Sequence, residues 1–190
     1  MSRDKIKETA VEHFRQFGYH GVRMARIAEE AGIRKQTLAY HFPSKLKLFE
    51  EIYFNVVEEE ILFLRHYFAA NKMLHWEKQL YQLLVEHKDR FLNHGNANFM
   101  FTTAFLPPEE AYEMVLDRYR RYLMVLKEEV GELLAQARTL RLAPEACVQV
   151  YVTLLDGLDV QLVYEDTGMY EQALRNGWNV FLHGIRELEQ

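Results

Sequence analysis

Apolar residues recur at helical spacing along almost the whole chain. Over residues 4–17, Ile6, Ala10, Phe14 and Phe17 form one stripe, and Gly18 and Gly21 then bracket a turn. Residues 24–31 predict a short helix with Ile27, Ala28 and Ala31 facing inward. Gly32 ends it, and Ile33 caps the turn hydrophobically. Residues 34–41 predict another short helix. It stops before Phe42-Pro43-Ser44, because proline keeps the residue before it out of the helical region. Ser44 suits the N-cap of a long helix over residues 45–70.

Further helices are predicted over residues 75–93, 99–105, 107–139, 144–165 and 170–189. His94-Gly95-Asn96 and Asp166-Thr167-Gly168 mark the breaks. Pro107-Pro108-Glu109-Glu110 opens the third of these helices, with proline in its first turn and acids near the positive dipole end. No segment alternates at period two, so the fold is all-α with about nine helices. There is no internal repeat and no low-complexity linker. Two domains, residues 1–46 and 47–190, are expected to share the long helix that begins at Lys45.

The segment from Ile27-Ala28-Glu29-Glu30-Ala31-Gly32-Ile33 to Lys35-Gln36-Thr37-Leu38 has the form of a helix-turn-helix. Ala28 is small where two helices must approach, and Gly32 can take the left-handed conformation of a sharp turn. In such motifs the start of the second helix meets base edges in the major groove of DNA. Here that start is Arg34-Lys35-Gln36-Thr37. Lys35 can donate to guanine O6 and N7, Gln36 can pair with adenine at two points, and the Thr37 methyl can meet a thymine methyl. Arg34 can serve a base or a phosphate.

Charge sharpens this picture. The net charge of −5 argues against nucleic acid at first sight. Yet residues 1–50 hold ten Lys/Arg against six Asp/Glu, whereas residues 51–190 hold thirteen against twenty-two. A basic end on an acidic body is the footprint of a protein that meets phosphates at one end. Cys147 is the single cysteine, which excludes an internal disulfide and fits a reducing compartment. No signal peptide and no run of roughly 20 apolar residues is evident, so a cytoplasmic protein without a membrane partner is expected.

The run over residues 21–49, which includes Leu38-Ala39-Tyr40-His41-Phe42-Pro43-Ser44-Lys45 and Leu48-Phe49, resembles the DNA-binding domain of TetR-family regulators. The resemblance covers residues 4–50. It implies that Tyr40, His41 and Lys45 contact phosphate and position the domain. For His41, packing against the first helix is an equal alternative. The sequence departs from the family at Val22 and Arg23, where a capping Thr or Ser is usual. Neither residue can cap through a side-chain oxygen, but Arg23 can reach phosphate as a cation. Arg34, Gln36 and Ala39 stand where serine, glycine and tyrosine are frequent.

Residues 144–165 are apolar on several sides, with Val148, Tyr151, Leu155, Leu158 and Leu162 on one stripe and Val150, Leu154, Val160 and Tyr164 elsewhere. Such a helix must be covered on several sides. Together with Leu174, Trp178, Phe181, Leu182 and Ile185, and with Gly157, Gly177 and Gly184 for close approach, it predicts a homodimer through a four-helix interface. The resemblance implies the same assembly and a small apolar or amphipathic effector bound in the body. Phe101, Phe105 and Tyr122 are candidate apolar contacts, and His87, Arg118 and Gln161 candidate polar anchors. The expected function is a ligand-responsive regulator, a repressor that occludes a promoter on double-stranded operator DNA. Effector binding is expected to shift the long helix. The alternatives are an architectural DNA-binding protein or, less favoured, a helical-bundle enzyme. Against the enzyme, no histidine has a glutamate three residues before it, and the phosphate-loop, His-Glu-x-x-His and Gly-x-Ser-x-Gly patterns are absent. Neither a cofactor nor a metal is expected.

Overall fold

The computed structural model describes residues 3–138, 140–164 and 167–186. Nine α-helices occur among them: α1 Arg3–Gly21, α2 Met24–Glu30, α3 Lys35–His41, α4 Lys45–Asn71, α5 Trp76–Asn93, α6 Gly95–Phe105, α7 Tyr112–Ala135, α8 Pro144–Tyr164 and α9 Thr167–Ile185. A 3-10 turn, Glu109–Ala111, precedes α7. Among the described residues the only β pairing is an isolated bridge between Leu140 and Arg186. The chain divides into two compact units, one of residues 1–60 and 91–122, the other of residues 61–90 and 123–190.

Several boundaries differ from the sequence expectation. α6 begins at Gly95, so the expected loop shrinks to His94, whose extended backbone serves as the N-cap. α7 is shorter at both ends than residues 107–139: it ends at Ala135, and it starts late because Pro108 is extended and a 3-10 turn precedes the first regular turn. α9 starts at Thr167, within the expected break. Asp166, and the expected helix ends at Thr139, Glu165 and Glu189, lie outside the described residues.

The first unit is built on the local signals. Ile6, Ala10 and Phe14 are buried on α1, but Phe17 is 57% exposed. The chain turns directly after it at Gly18, whose φ of 62° interrupts the helix, and the Phe17 ring lies against His13 at 5.7 Å. Ser44 caps α4 as expected: its Oγ accepts from the Lys47 amide at 3.1 Å. Phe99 of α6 sits in an aromatic cluster with Phe14, Phe49 and Tyr53, at centroid distances of 6.0, 5.7 and 6.1 Å. The pairs with Phe49 and Tyr53 are edge-to-face and that with Phe14 is stacked, and each contributes beyond the area it buries. Arg15 Nε also donates to Asn98 Oδ1 at 3.1 Å, which ties α6 to α1.

In the second unit α8 packs along α9. Val148, Tyr151, Leu155 and Leu158 are buried on α8, and Leu174, Trp178, Phe181 and Ile185 on α9. Gly177 makes this closeness possible: a Cβ there would lie 2.5 Å from Leu154 Cδ1. Tyr151 and Tyr170 donate their hydroxyls to the carbonyls of Leu80 and Leu84 on α5, at 2.8 and 3.0 Å. Both phenols are pushed above their ordinary range by burial. Cys147 is buried, and burial pushes its thiol up.

By length and composition alone α8 could cross a membrane, with a mean hydropathy of 1.3. The segment is not an unbroken apolar run, since Asp156 and Asp159 interrupt it. The described packing accounts for that hydropathy differently. One face of α8 meets α9, and Asp159 is fully buried beside His87.

Candidate nucleic-acid interface

The turn between α2 and α3 is set by backbone chemistry. Gly32 takes a φ of 69°, a conformation that a Cβ would strain. The Gly32 amide donates to the Glu29 carbonyl at 3.0 Å, and the Ile33 amide to the Ala28 carbonyl at 2.9 Å. These two bonds close the end of α2 as a Schellman motif, with Ile33 as its apolar partner. At the other end of α2 the sequence departure has its expected effect. Arg23 is the N-cap, with extended backbone and no side-chain capping bond.

The inner side of the motif is apolar and complete. Ile27, Ala28, Ala31, Leu38 and Phe42 are buried. His13 of α1 is buried as well, and its Nε2 lies 2.7 Å from Glu30 Oε2, which braces α2 against α1. Arg3 stands over the Phe42 ring at 4.9 Å.

The outer side is polar and uncovered. Arg34 is the N-cap of α3, and its carbonyl accepts the amides of Thr37 and Leu38 at 3.0 and 3.1 Å. Arg34, Lys35, Gln36, Thr37 and Tyr40 are all exposed, and Tyr40 reaches 85%. A large aromatic left so open is informative in a way that a scattered surface leucine is not. A cleft between α2 and α3 is lined by Arg23, Arg26, Arg34, Lys35 and Gln36, with Glu29 as its one acid. Four cations thus share one concave surface, which focuses positive potential. Arg26 was missed from sequence. It lies three residues after Arg23, so the helical period was the signal that could have found it.

Two predicted contacts carry further bonds. Lys45 is half-buried, and its Nζ donates to the Tyr19 carbonyl at 2.7 Å while lying 4.3 Å from the Tyr19 ring. Burial, then Glu110 and Glu50, raise the Tyr19 phenol, so the ring stays neutral beneath the ammonium. Lys45 therefore joins the start of α4 to the end of α1, and two of its three protons remain for another acceptor. His41 is also half-buried and stacks edge-on with Tyr40 at 5.5 Å.

The candidate effector contacts are scattered by comparison. Phe101 is buried between Phe91 and Tyr122, at 6.4 and 5.7 Å. Phe105 is exposed near the end of α6. Arg118 lies over the Phe54 ring at 4.8 Å and lines a surface cleft with Arg3, His41 and Glu51. These four residues belong to the first unit, while His87 and Gln161 belong to the second. His87 is buried and bonded to Asp159, and Gln161 is half-buried on α8. Among the described residues no group of three or more His, Cys, Asp or Glu side chains is placed to hold a metal ion.

Comparison with known proteins agrees with this geometry. The profile of "Bacterial regulatory proteins, tetR family" matches residues 6–52. Over 44 residues the chain is 50% identical to the HTH-type transcriptional regulator RutR of Escherichia coli K12, covering 23% of this chain and 21% of that protein. Over 49 residues it is 39% identical to the biofilm operon icaADBC HTH-type negative transcriptional regulator IcaR of Staphylococcus aureus Newman, covering 26% of each. The matches thus span about a fifth to a quarter of these relatives' length. In fold the likeness runs further. The transcriptional regulator FadR of Bacillus subtilis, in complex with stearoyl-CoA, superposes with a TM-score of 0.72 at 16% identity, over 97% of this chain and 100% of its own. A Saccharomonospora viridis transcriptional regulator in complex with choline gives 0.69 at 22%, over 98% of both. Residues 6–52 are thus similar to the DNA-binding region of the tetR family of bacterial regulatory proteins, and the whole chain shares the all-α fold of the solved regulators.

Proposed function

We propose that the chain is a homodimeric, cytoplasmic transcription regulator that binds double-stranded operator DNA through α3 and is released by a small apolar or amphipathic effector. One observation carries this reading most. A complete apolar interior holds a short helix whose outer side, Arg34 to Thr37 and Tyr40, is uncovered and basic. A structural hairpin has no need of such a face. In this reading Lys35, Gln36 and Thr37 read base edges, and Arg34 serves a base or a phosphate. Arg23, Arg26, Tyr40, His41 and the remaining protons of Lys45 hold phosphates and set the register.

Residues 1–46 form the DNA-binding domain and residues 47–190 the effector and dimer domain. Two half-sites require two copies related by a twofold axis. The face of α8 and α9 left open in the protomer suits that contact. Val150, Val160, Tyr164, Met169 and Val180 are exposed there, and a Cβ on Gly157 or Gly184 would meet no described residue within 4 Å. The negative regulation in IcaR's name favours repression by occlusion of a promoter. The bound ligands of two structural neighbours favour an effector in the body. The effector works only through unequal affinity for the DNA-bound and released arrangements. The seat of α6 on α1, through Phe99 and Asn98, gives such a difference a route to the DNA-binding helices.

The test is a titration of duplex DNA at several salt concentrations. Affinity falls linearly on logarithmic axes, with a slope of about −0.9 per phosphate neutralised. Salt-independent binding would remove the electrostatic basis of the assignment.

A further inference from the structure

Asp159 is one of two acids buried to 1% or less among the described residues, the other being Glu60. Asp159 lies in the apolar middle of α8 and is fully buried. Its Oδ1 is 2.5 Å from His87 Nε2 on α5. Its Oδ2 is also buried, yet has no hydrogen-bond partner among the described residues. Buried carboxylate oxygens are costly to leave unmatched, and native structures pair nearly all of them. One turn earlier on the same helix stands Asp156, about half-buried and acted on by Asp159, His87 and Lys127. Lys127 is exposed and solvated, so it offsets little of the negative charge inside. The neighbouring turns of both helices are apolar and buried: Leu83 and Leu84 precede His87 on α5, and Leu155 and Leu158 accompany the two acids on α8.

A protein that needed only a core would place leucine here. A carboxylate held by histidine on one oxygen, with the other oxygen buried and a second carboxylate close by, is instead arranged for an incoming hydrogen-bond donor. We infer that Asp159 anchors the effector, and that the effector class is a lipophilic amine whose protonated nitrogen donates to Asp159 Oδ2 beside Asp156. His87 is then a positioning residue, which fixes the carboxylate so that its free oxygen is presented. Carboxylate ligands are disfavoured at this anchor, because they would meet two like charges in a poorly hydrated site. Asp156 itself is raised by burial and by Asp159, the behaviour of a group that gains when a cation arrives. This inference rests on the proposed reading of the chain as an effector-responsive regulator.

The test uses the full-length protein and three probes with the same apolar tail: octylamine, octanol and octanoate. Calorimetric titration at neutral pH is expected to show octylamine binding at least tenfold more tightly than octanoate, with octanol between them. In Asp159→Asn the amine preference is expected to fall to within about twofold, and His87→Gln to weaken amine binding without reversing the order. Octanoate binding as tightly as octylamine, or no binding by any probe, overturns the inference. So does an amine preference that survives in both Asp159→Asn and Asp156→Asn. Because the wild-type comparison needs no variant to fold, the result stands even if Asp159→Asn is unstable. Operator release is read separately in the same samples. Amine selectivity without any effect on DNA binding keeps the anchor and rejects the regulatory reading, whereas salt-dependent DNA binding without amine selectivity does the reverse.

Discussion

Adjacent residues on α9 offer a controlled test of dimerisation. The sequence marks Phe181 as an interface residue, but in the protomer it is 3% exposed and packs on Tyr151 and Trp178. Val180 beside it is 74% exposed. A fully buried valine contributes about 1.5–3 kcal/mol, so covering Val180 at two symmetric positions contributes about 2–4 kcal/mol to association. Val180→Glu removes that and adds two carboxylates to be desolvated. The dissociation constant should rise by roughly 30- to 700-fold or more, at one decade per 1.4 kcal/mol. Sedimentation velocity from nanomolar to micromolar protein reads this directly, and circular dichroism reports whether the helices persist. Val180→Glu should be helical and monomeric where the wild type is dimeric. Phe181→Glu should instead lose its fold, since emptying a buried phenylalanine site costs about 3–5 kcal/mol before any charge is buried. A monomeric wild type at micromolar concentration, or a Val180→Glu protein that stays dimeric at nanomolar concentration, would refute the assignment of the α8–α9 face.

Lys45→Ala should lower stability to urea by about 1–2 kcal/mol, the lower part of the range for a charged hydrogen bond, because the ammonium is only half-buried. An unchanged urea midpoint would show that the contact with Tyr19 braces nothing. Asp156→Asn should raise the melting temperature at pH 7. The folded state holds this carboxyl above its ordinary value of 3.8, first through burial and then through Asp159, so its ionised form subtracts stability at neutral pH. That penalty fades as pH falls through the folded-state value and is gone below the unfolded one. The variant's advantage should therefore shrink in acid, and an advantage that grew on acidification would contradict the sign.

What was legible from sequence was mainly local. Gly32 with Ile33 specifies the turn of the motif through bonds spanning six residues, and Ser44 caps α4 through a bond spanning four. The all-α class follows from a period that does not depend on partners. Features that need distant residues were not legible. Phe17 lies on the right stripe but directly before Gly18, where the helix breaks, and is exposed, whereas periodicity alone counts it as core. The many-sided apolar character of α8 was visible, yet only packing separates the side that meets α9 from the side left open. Gly177 and Gly184 show the same limit. They look equivalent in sequence, but one faces Leu154 and the other has no described residue within 4 Å of where its Cβ would lie. Asp159 drew no attention because its meaning comes from His87, which is 72 residues away. Lys45 was read as a phosphate contact without its bond to Tyr19, because a lysine's period says nothing about which carbonyl it will find.

The central claim is that α3 reads bases. Selection of binding sites from randomised duplex DNA, run in parallel with the wild type, Gln36→Ala and Lys35→Ala, tests it most directly. A bidentate base contact is worth about 1–3 kcal/mol of discrimination. The wild type should enrich an inverted repeat. Gln36→Ala should relax one position in each half-site by about tenfold or somewhat more, and Lys35→Ala a neighbouring position, with some general loss of affinity because its charge also attracts phosphate. The rest of the enriched sequence should be unchanged in both variants. If the wild type enriches no sequence, or if both variants keep every wild-type base preference, α3 does not lie in the groove as described.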